Sequence, residues 1–167
     1  IQAMPGYDNG IPILVRMVKR MADSPAAGFD GLRLRHWRPQ RREDGVLVLQ
    51  FDRADESVNA FSQDVLIELA DVLERIAIDP PKGVVIASAK NSGFIAGADL
   101  KEFQEFDRKG TVNDAIRRGQ DVFQRLAELP CPTVSAIHGH CMGGGTEISL
   151  ACRYRVASND ASTRIGL

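Results

Sequence analysis

No apolar run in this chain is long enough to cross a bilayer. The stretch Ile11 to Val18 is broken by Pro12 and Arg16 and is followed by no small-residue cleavage site, so it supports neither an anchor nor a signal peptide. There is no excess of basic charge either. The 21 Lys and Arg residues are offset by 22 Asp and Glu, for a formal net charge of -1, which argues against a nucleic-acid footprint. Cysteine is scarce. Cys131, Cys141 and Cys152 lack metal-ligand spacing and, being three, cannot all pair. Reduced thiols in a cytoplasmic protein, with no metal site, are the expectation. No Gly-x-Gly-x-x-Gly occurs, so an NAD site is not expected within these residues. No Gly-x-Ser-x-Gly elbow occurs either, and the glycine-rich turn carries no serine nucleophile. Internal repeats and low-complexity tracts are absent.

With 26% charged and 44% hydrophobic residues, the composition is that of a globular domain. Residues 1–31 are expected to be a leader or loose lead-in, because Met21-Ala22-Asp23-Ser24 reads like a natural start. From residue 32 to 167 the pattern is α/β. Leu32 to Trp37 alternates as a strand, Arg38 to Asp44 as a charged turn, and Gly45 to Asp52 as a second strand, together a hairpin. Phe61 to Ile78 repeats apolar residues at a helical period and ends at Pro80-Pro81. Val84 to Ala87 is a buried strand. A short helix follows the Ala98 turn, and a second long helix spans about Val112 to Leu129, with Ile116, Val122, Phe123 and Leu126 inward. The strands Thr133 to Ile137 and Tyr154 to Ala157 complete repeated strand–helix–strand units, which imply right-handed crossovers and a mainly parallel sheet. The arginines at 33, 35, 38, 41 and 42 read as a solvated strand edge rather than a phosphate site.

Two segments carry chemistry. In Ile137-His138-Gly139-His140-Cys141-Met142-Gly143-Gly144-Gly145-Thr146-Glu147, three consecutive glycines strip the backbone between a strand and a helix. Such a turn presents N–H groups at the positive end of a helix dipole, where an anion can sit. Glu147 stands in the first turn beside it. In Phe94-Ile95-Ala96-Gly97-Ala98-Asp99-Leu100-Lys101-Glu102-Phe103, small residues again expose backbone before a charged helix start. Two such turns converging on one carbonyl oxygen, with a carboxylate nearby, outline enolate chemistry on a thioester or ketone. Bland roles exist for each residue. Glu147 could merely complement the helix dipole, Asp99 reads as a helix cap, Lys101 as a solvated cation, and His138 and His140 as packing rather than partners of Cys141.

Phe94 to Phe103 and Ala136 to Ala151 resemble the two signature blocks of the enoyl-CoA hydratase/isomerase (crotonase) superfamily. They are most similar to hydratase domains of multifunctional fatty-acid oxidation proteins, and the resemblance runs from about Leu32 to the last residue. It implies a crotonase (ClpP-like) α/β fold of repeated ββα units. It implies an oxyanion hole from the N–H groups of Ala98 and Gly144, and Glu147 as a catalytic glutamate. Ser57, Asn59, Ala96, Gly97, Asp99, Leu100, Lys101, Met142 and Gly143 fall where the family contacts coenzyme A and its acyl group. Lys101 would meet the phosphates, and the Ser57 to Asn59 backbone the adenine and pantetheine.

Coenzyme A would enter as part of an acyl-CoA substrate. NAD would be used only by a dehydrogenase domain beyond these residues, and a thiolase subunit or further copies are the implied partners. The family's hydratases use a second glutamate in a Gly-Leu-Pro-Glu-like motif, which the resemblance of the closing Gly166-Leu167 places two residues past Leu167. The chain is therefore expected to be the N-terminal part of such a domain, inactive alone. A crotonase-fold hydrolase and a non-catalytic coenzyme A-binding module are the other readings.

Overall fold

A computed structural model describes residues 28–167; the greater part of the lead-in, including Ile11 to Val18, lies outside the described residues. Two strands open the fold, β1 (Trp37–Arg41) and β2 (Val46–Phe51). Helix α1 (Gln63–Ile78), strand β3 (Gly83–Ser88) and the short β4 (Gly93–Ile95) follow. Then come α2 (Leu100–Lys109), α3 (Val112–Ala127), β5 (Thr133–Ile137) and β6 (His140–Met142). Helix α4 (Gly144–Ala151), β7 (Tyr154–Ala157) and β8 (Arg164–Gly166) finish the chain.

The strands form two sheets. The larger has the order β1-β2-β3-β5-β7 and the smaller β4-β6-β8. Only β1 and β2 pair antiparallel; the remaining pairs are parallel. The periodicity read from α1 is met. Val65, Leu69, Val72, Leu73 and Ile76 are at most 1% exposed, and burial of five such side chains contributes on the order of 10 kcal/mol. Trp37 stacks on Phe51 with centroids 4.3 Å apart. Its indole N–H donates to the Val65 carbonyl at 3.0 Å, fixing α1 over the sheet.

The first strand departs from expectation. β1 starts where the predicted strand ends, and the turn is shortened to Arg42 through Gly45, with Arg42 N–H donating to Val46 O. The backbone N–H groups of Arg35 and His36 are taken instead by the Glu68 carboxylate of α1, both at 2.9 Å. Pro39 fits within β1 because it lies on the edge strand. The ladder bonds fall at His36–Asp52 and Arg42–Val46, so residue 39 is one whose N–H would face outward. Arg35, Arg38, Arg41 and Arg42 each pair with an aspartate, namely Asp55, Asp52, Asp79 and Asp44. Ile116, expected inward on α3, is 42% exposed instead.

The three glycines at the start of α4 answer three different demands. Gly143 has φ 49 and ψ -119, a conformation closed to L side chains. A Cβ on Gly144 would come within 3.0 Å of the Phe61 ring, and one on Gly145 would collide with the Ile95 carbonyl. Asn59, fully buried, ties the neighbouring elements together. Its amide NH2 donates to Phe51 O and Ser88 Oγ at 3.0 Å and reaches Phe94 O at 3.3 Å, while its Oδ1 accepts from Arg53 N–H.

Two substitutions separate backbone overlap from backbone dihedral. Gly110, the C-cap of α2, has φ 67 and open space around it, so Gly110→Ala should cost about 1 kcal/mol. Gly145→Ala forces β4 and α4 apart and should cost about 3 kcal/mol. Chemical denaturation midpoints rank the pair. Asn59→Ala removes the amide link between β2, β3 and β4 and leaves the Arg53 N–H without its acceptor, and should cost about 3 kcal/mol in the same assay.

Candidate active site

Two turns meet behind the N-terminus of α4. A methyl group on Gly97 would sit 3.3 Å from the Met142 carbonyl oxygen and 3.9 Å from the Gly144 nitrogen. One on Gly143 would lie 3.7 Å from the Gly97 Cα. The glycines let the backbones approach, and the parallel pairing of β4 with β6 and β6 with β8 holds them there. Gly143 N–H donates to the Gly166 carbonyl, anchoring the turn to β8.

The orientation of Ala98 follows from its bridge to Phe61. Phe61 N–H donates to Gly97 O, and Asp99 N–H donates to Phe61 O, each at 2.8 Å. That parallel pairing turns the Ala98 N–H away from Phe61. Gly144 is the first residue of α4, so its N–H has no intrahelical acceptor. Ala98, Gly144 and the exposed Glu147 all line one cavity of about 420 Å³. Oε2 of Glu147 lies 3.6 Å from where a Gly144 Cβ would stand.

The remaining walls come from Phe61 and from α1, α2 and α3 and are mostly apolar, among them Leu66, Phe103, Phe106, Ile116 and Phe123. Phe61 and Phe123 pack edge to face at 5.3 Å, and the Arg118 guanidinium covers the Phe106 ring at 5.8 Å. Two acidic neighbours in the wall are already committed. Glu102 accepts from Gln63 N–H at 2.8 Å. Asp99 caps α2, its Oδ1 accepting from Lys101 N–H and Glu102 N–H, and its other oxygen pairs with Arg53. Burial works to raise the Asp99 carboxyl, but the Arg53 guanidinium and the two backbone donors outweigh it and hold it below the ordinary carboxylate value. Glu147 makes no such pair, and its carboxylate stays beside Gly144.

The family model for enoyl-CoA hydratase/isomerase matches residues 41–167. The chain belongs to that family. Two similar relatives, both fatty acid oxidation complex subunits alpha from Shewanella sp. (strain W3-18-1) and Shewanella putrefaciens, are 38% identical over 128 residues. That alignment covers 76% of this chain and 18% of each relative, so the chain spans less than a fifth of their length. Among solved structures, an enoyl-CoA hydratase from Bacillus anthracis superposes with a TM-score of 0.68 at 29% identity, covering 76% of this chain and 49% of that one. An enoyl-CoA hydratase from Mycobacterium smegmatis gives 0.70 at 28% identity, with the same coverage. The α/β architecture is thus the crotonase fold.

Of the residues singled out in the sequence, Ala98, Asp99, Gly144 and Glu147 reach the cavity wall. Gly97, Met142 and Gly143 form the backbone contact behind it. Ala96 N–H donates to Asn59 O, and the Asn59 side chain is wholly engaged within the protein. The Ser57 carbonyl accepts from the Ser92 hydroxyl. Leu100 and Lys101 are exposed on the first turn of α2. His138 is buried with Nε2 at 2.9 Å from Lys90 O, and Cys141 has the Ser149 and Thr146 hydroxyls at 3.7 and 3.9 Å as neighbours. Burial pushes the Cys152 thiol up to about 12 and raises Cys131 as well, which leaves both poor nucleophiles. Among the described residues no group of three or more His, Cys, Asp or Glu could hold a metal, and no helix is long and apolar enough to cross a membrane.

The apolar walls were missed from the sequence. Phe103 with Phe106, and Ala115 with Gly119 and Phe123, recur at helical spacing, the one signal that could have exposed them. Asp99 generates a pH prediction. Its folded pKa is depressed, so its stabilisation is present above the unfolded value near 3.9 and is lost as pH falls through the folded value. Asn keeps the cap, so Asp99→Asn isolates the Arg53 pair. Denaturant unfolding should show a loss of about 1–3 kcal/mol at pH 7 and a flatter decline below about pH 4.

Proposed function

We propose that this chain carries the oxyanion-binding part of a 2-enoyl-CoA hydratase of fatty-acid β-oxidation. Its support is that Ala98, Gly144 and Glu147 line one mostly apolar cavity, with the Glu147 carboxylate beside Gly144. The two N–H groups would hold the thioester carbonyl oxygen, whose negative charge grows as water adds at the β carbon. Donors fixed in place before reaction stabilise that charge at no reorganisation cost, and loss of one typically lowers the rate about a hundredfold or more. Glu147 would orient the attacking water or move its proton. A second carboxylate, expected outside residues 1–167, would divide the proton traffic with it. Moving a double bond between the β,γ and α,β positions needs the same cradle and only proton shuttling, so isomerase activity belongs to the same proposal.

Coenzyme A would enter as part of the substrate, and NAD would serve only a separate dehydrogenase domain. Assembly with a thiolase subunit and a cytoplasmic location complete the reading. The relatives' description as the alpha subunit of a fatty acid oxidation complex is its support.

Crotonyl-CoA provides the test, with hydration followed as loss of enoyl absorbance in the full-length protein. Glu147→Gln should lower kcat by about 10²–10⁴-fold while leaving the dissociation constant for butyryl-CoA nearly unchanged. Equal loss of binding and turnover would make Glu147 structural. Absence of hydration by the unaltered protein would remove the hydratase reading altogether.

A further inference from the structure

Gly119 is the one described glycine that the fold does not explain. The others either have positive φ or stand where a Cβ would meet a neighbour more tightly than ordinary van der Waals contact. Gly119 has neither; its only near atom is Leu66 Cδ1, 3.8 Å from where a Cβ would be. It nevertheless lies in the middle of α3, and glycine is a poorer helix former than any residue but proline. A glycine at such a position leaves a space that any side chain would begin to fill. That space is the cavity, whose wall includes Gly119.

The wall has an order. Phe61 stands against Gly144 at the oxyanion end, and Phe123 packs on Phe61. Gly119 lies one helical turn from Phe123, about 5.4 Å along α3. Across from it, Leu66 and Ala70 present the corresponding face of α1, and Ala115 continues the face of α3 by one more turn. Small residues therefore leave the space between α1 and α3 unfilled beyond the aromatic pair. At about 420 Å³ the cavity has room for roughly fourteen water-sized groups, far more than a crotonyl chain fills.

We infer that Gly119 is a specificity-determining position, which keeps the cavity open between α1 and α3 for linear acyl chains of medium and greater length. The inference rests on the acyl-CoA reading above. A leucine at 119 would occupy the opening beside Leu66 and shorten it, while an alanine would make only ordinary contact.

The experiment compares the unaltered full-length protein with Gly119→Ala and Gly119→Leu. Turnover is measured on crotonyl-CoA and 2-decenoyl-CoA, and equilibrium binding on butyryl-CoA and decanoyl-CoA, with thermal melting as the check on folding. For Gly119→Leu, kcat/KM should fall at least tenfold more for 2-decenoyl-CoA than for crotonyl-CoA. Decanoyl-CoA affinity should fall relative to butyryl-CoA in the same ratio, and the melting temperature should stay level or rise. Gly119→Ala should fall between the two. Equal loss on both chain lengths, or no loss on the longer one, would overturn the inference. Failure of the unaltered protein to bind butyryl-CoA would instead overturn the acyl-CoA reading.

Discussion

Where α4 begins, the Ile95 carbonyl lies so close to Gly145 that no side chain fits between them. The approach of these two backbones positions the rest of the site. It brings the turn after β4 against the turn after β6, which in turn sets the Ala98 and Gly144 N–H groups on one wall. The smaller sheet supplies the restoring force. Each of its strands has three residues, too few to stand alone, but β8 closes the set and bonds the turn through Gly166. A side chain anywhere along this seam would separate the two donors before it disturbed the larger sheet.

Much of this was legible in the residues, and the reason is chemical. Backbone donors in a turn need small side chains, and a first-turn carboxylate needs a fixed distance from them, so both leave marks in consecutive letters. The apolar period of α1 and the β-branched run of β3 were equally open to reading, because burial acts on each side chain in register. The resemblance to a known family then joined two segments that periodicity alone keeps apart. The matches to family and solved relatives bear out that resemblance and the fold, and the roles of Ala98, Gly144 and Glu147 remain the substance of the proposal.

What escaped the sequence depended on partners distant along the chain. β4, β6 and β8 are too short for alternation to register. β1 was displaced because Glu68, far away on α1, takes the His36 N–H that a longer strand would have used, together with the Arg35 N–H beside it. Ile116 has the spacing of a buried residue but faces a cavity mouth, since the space opposite it is unfilled. Asn59 was read only as part of a loop whose backbone meets coenzyme A; its amide also joins three elements of the interior, a role that only their convergence reveals.

Helix α2 buries none of its residues. It is fastened at its first turn by Asp99 and Glu102, and from there it covers the cavity with Phe103 and Phe106 resting on the opening. An element with few buried contacts is the one that opens at the smallest free-energy cost. Local opening of the cavity wall therefore costs least at α2, and the Arg118 contact with Phe106 is what holds its far end to α3.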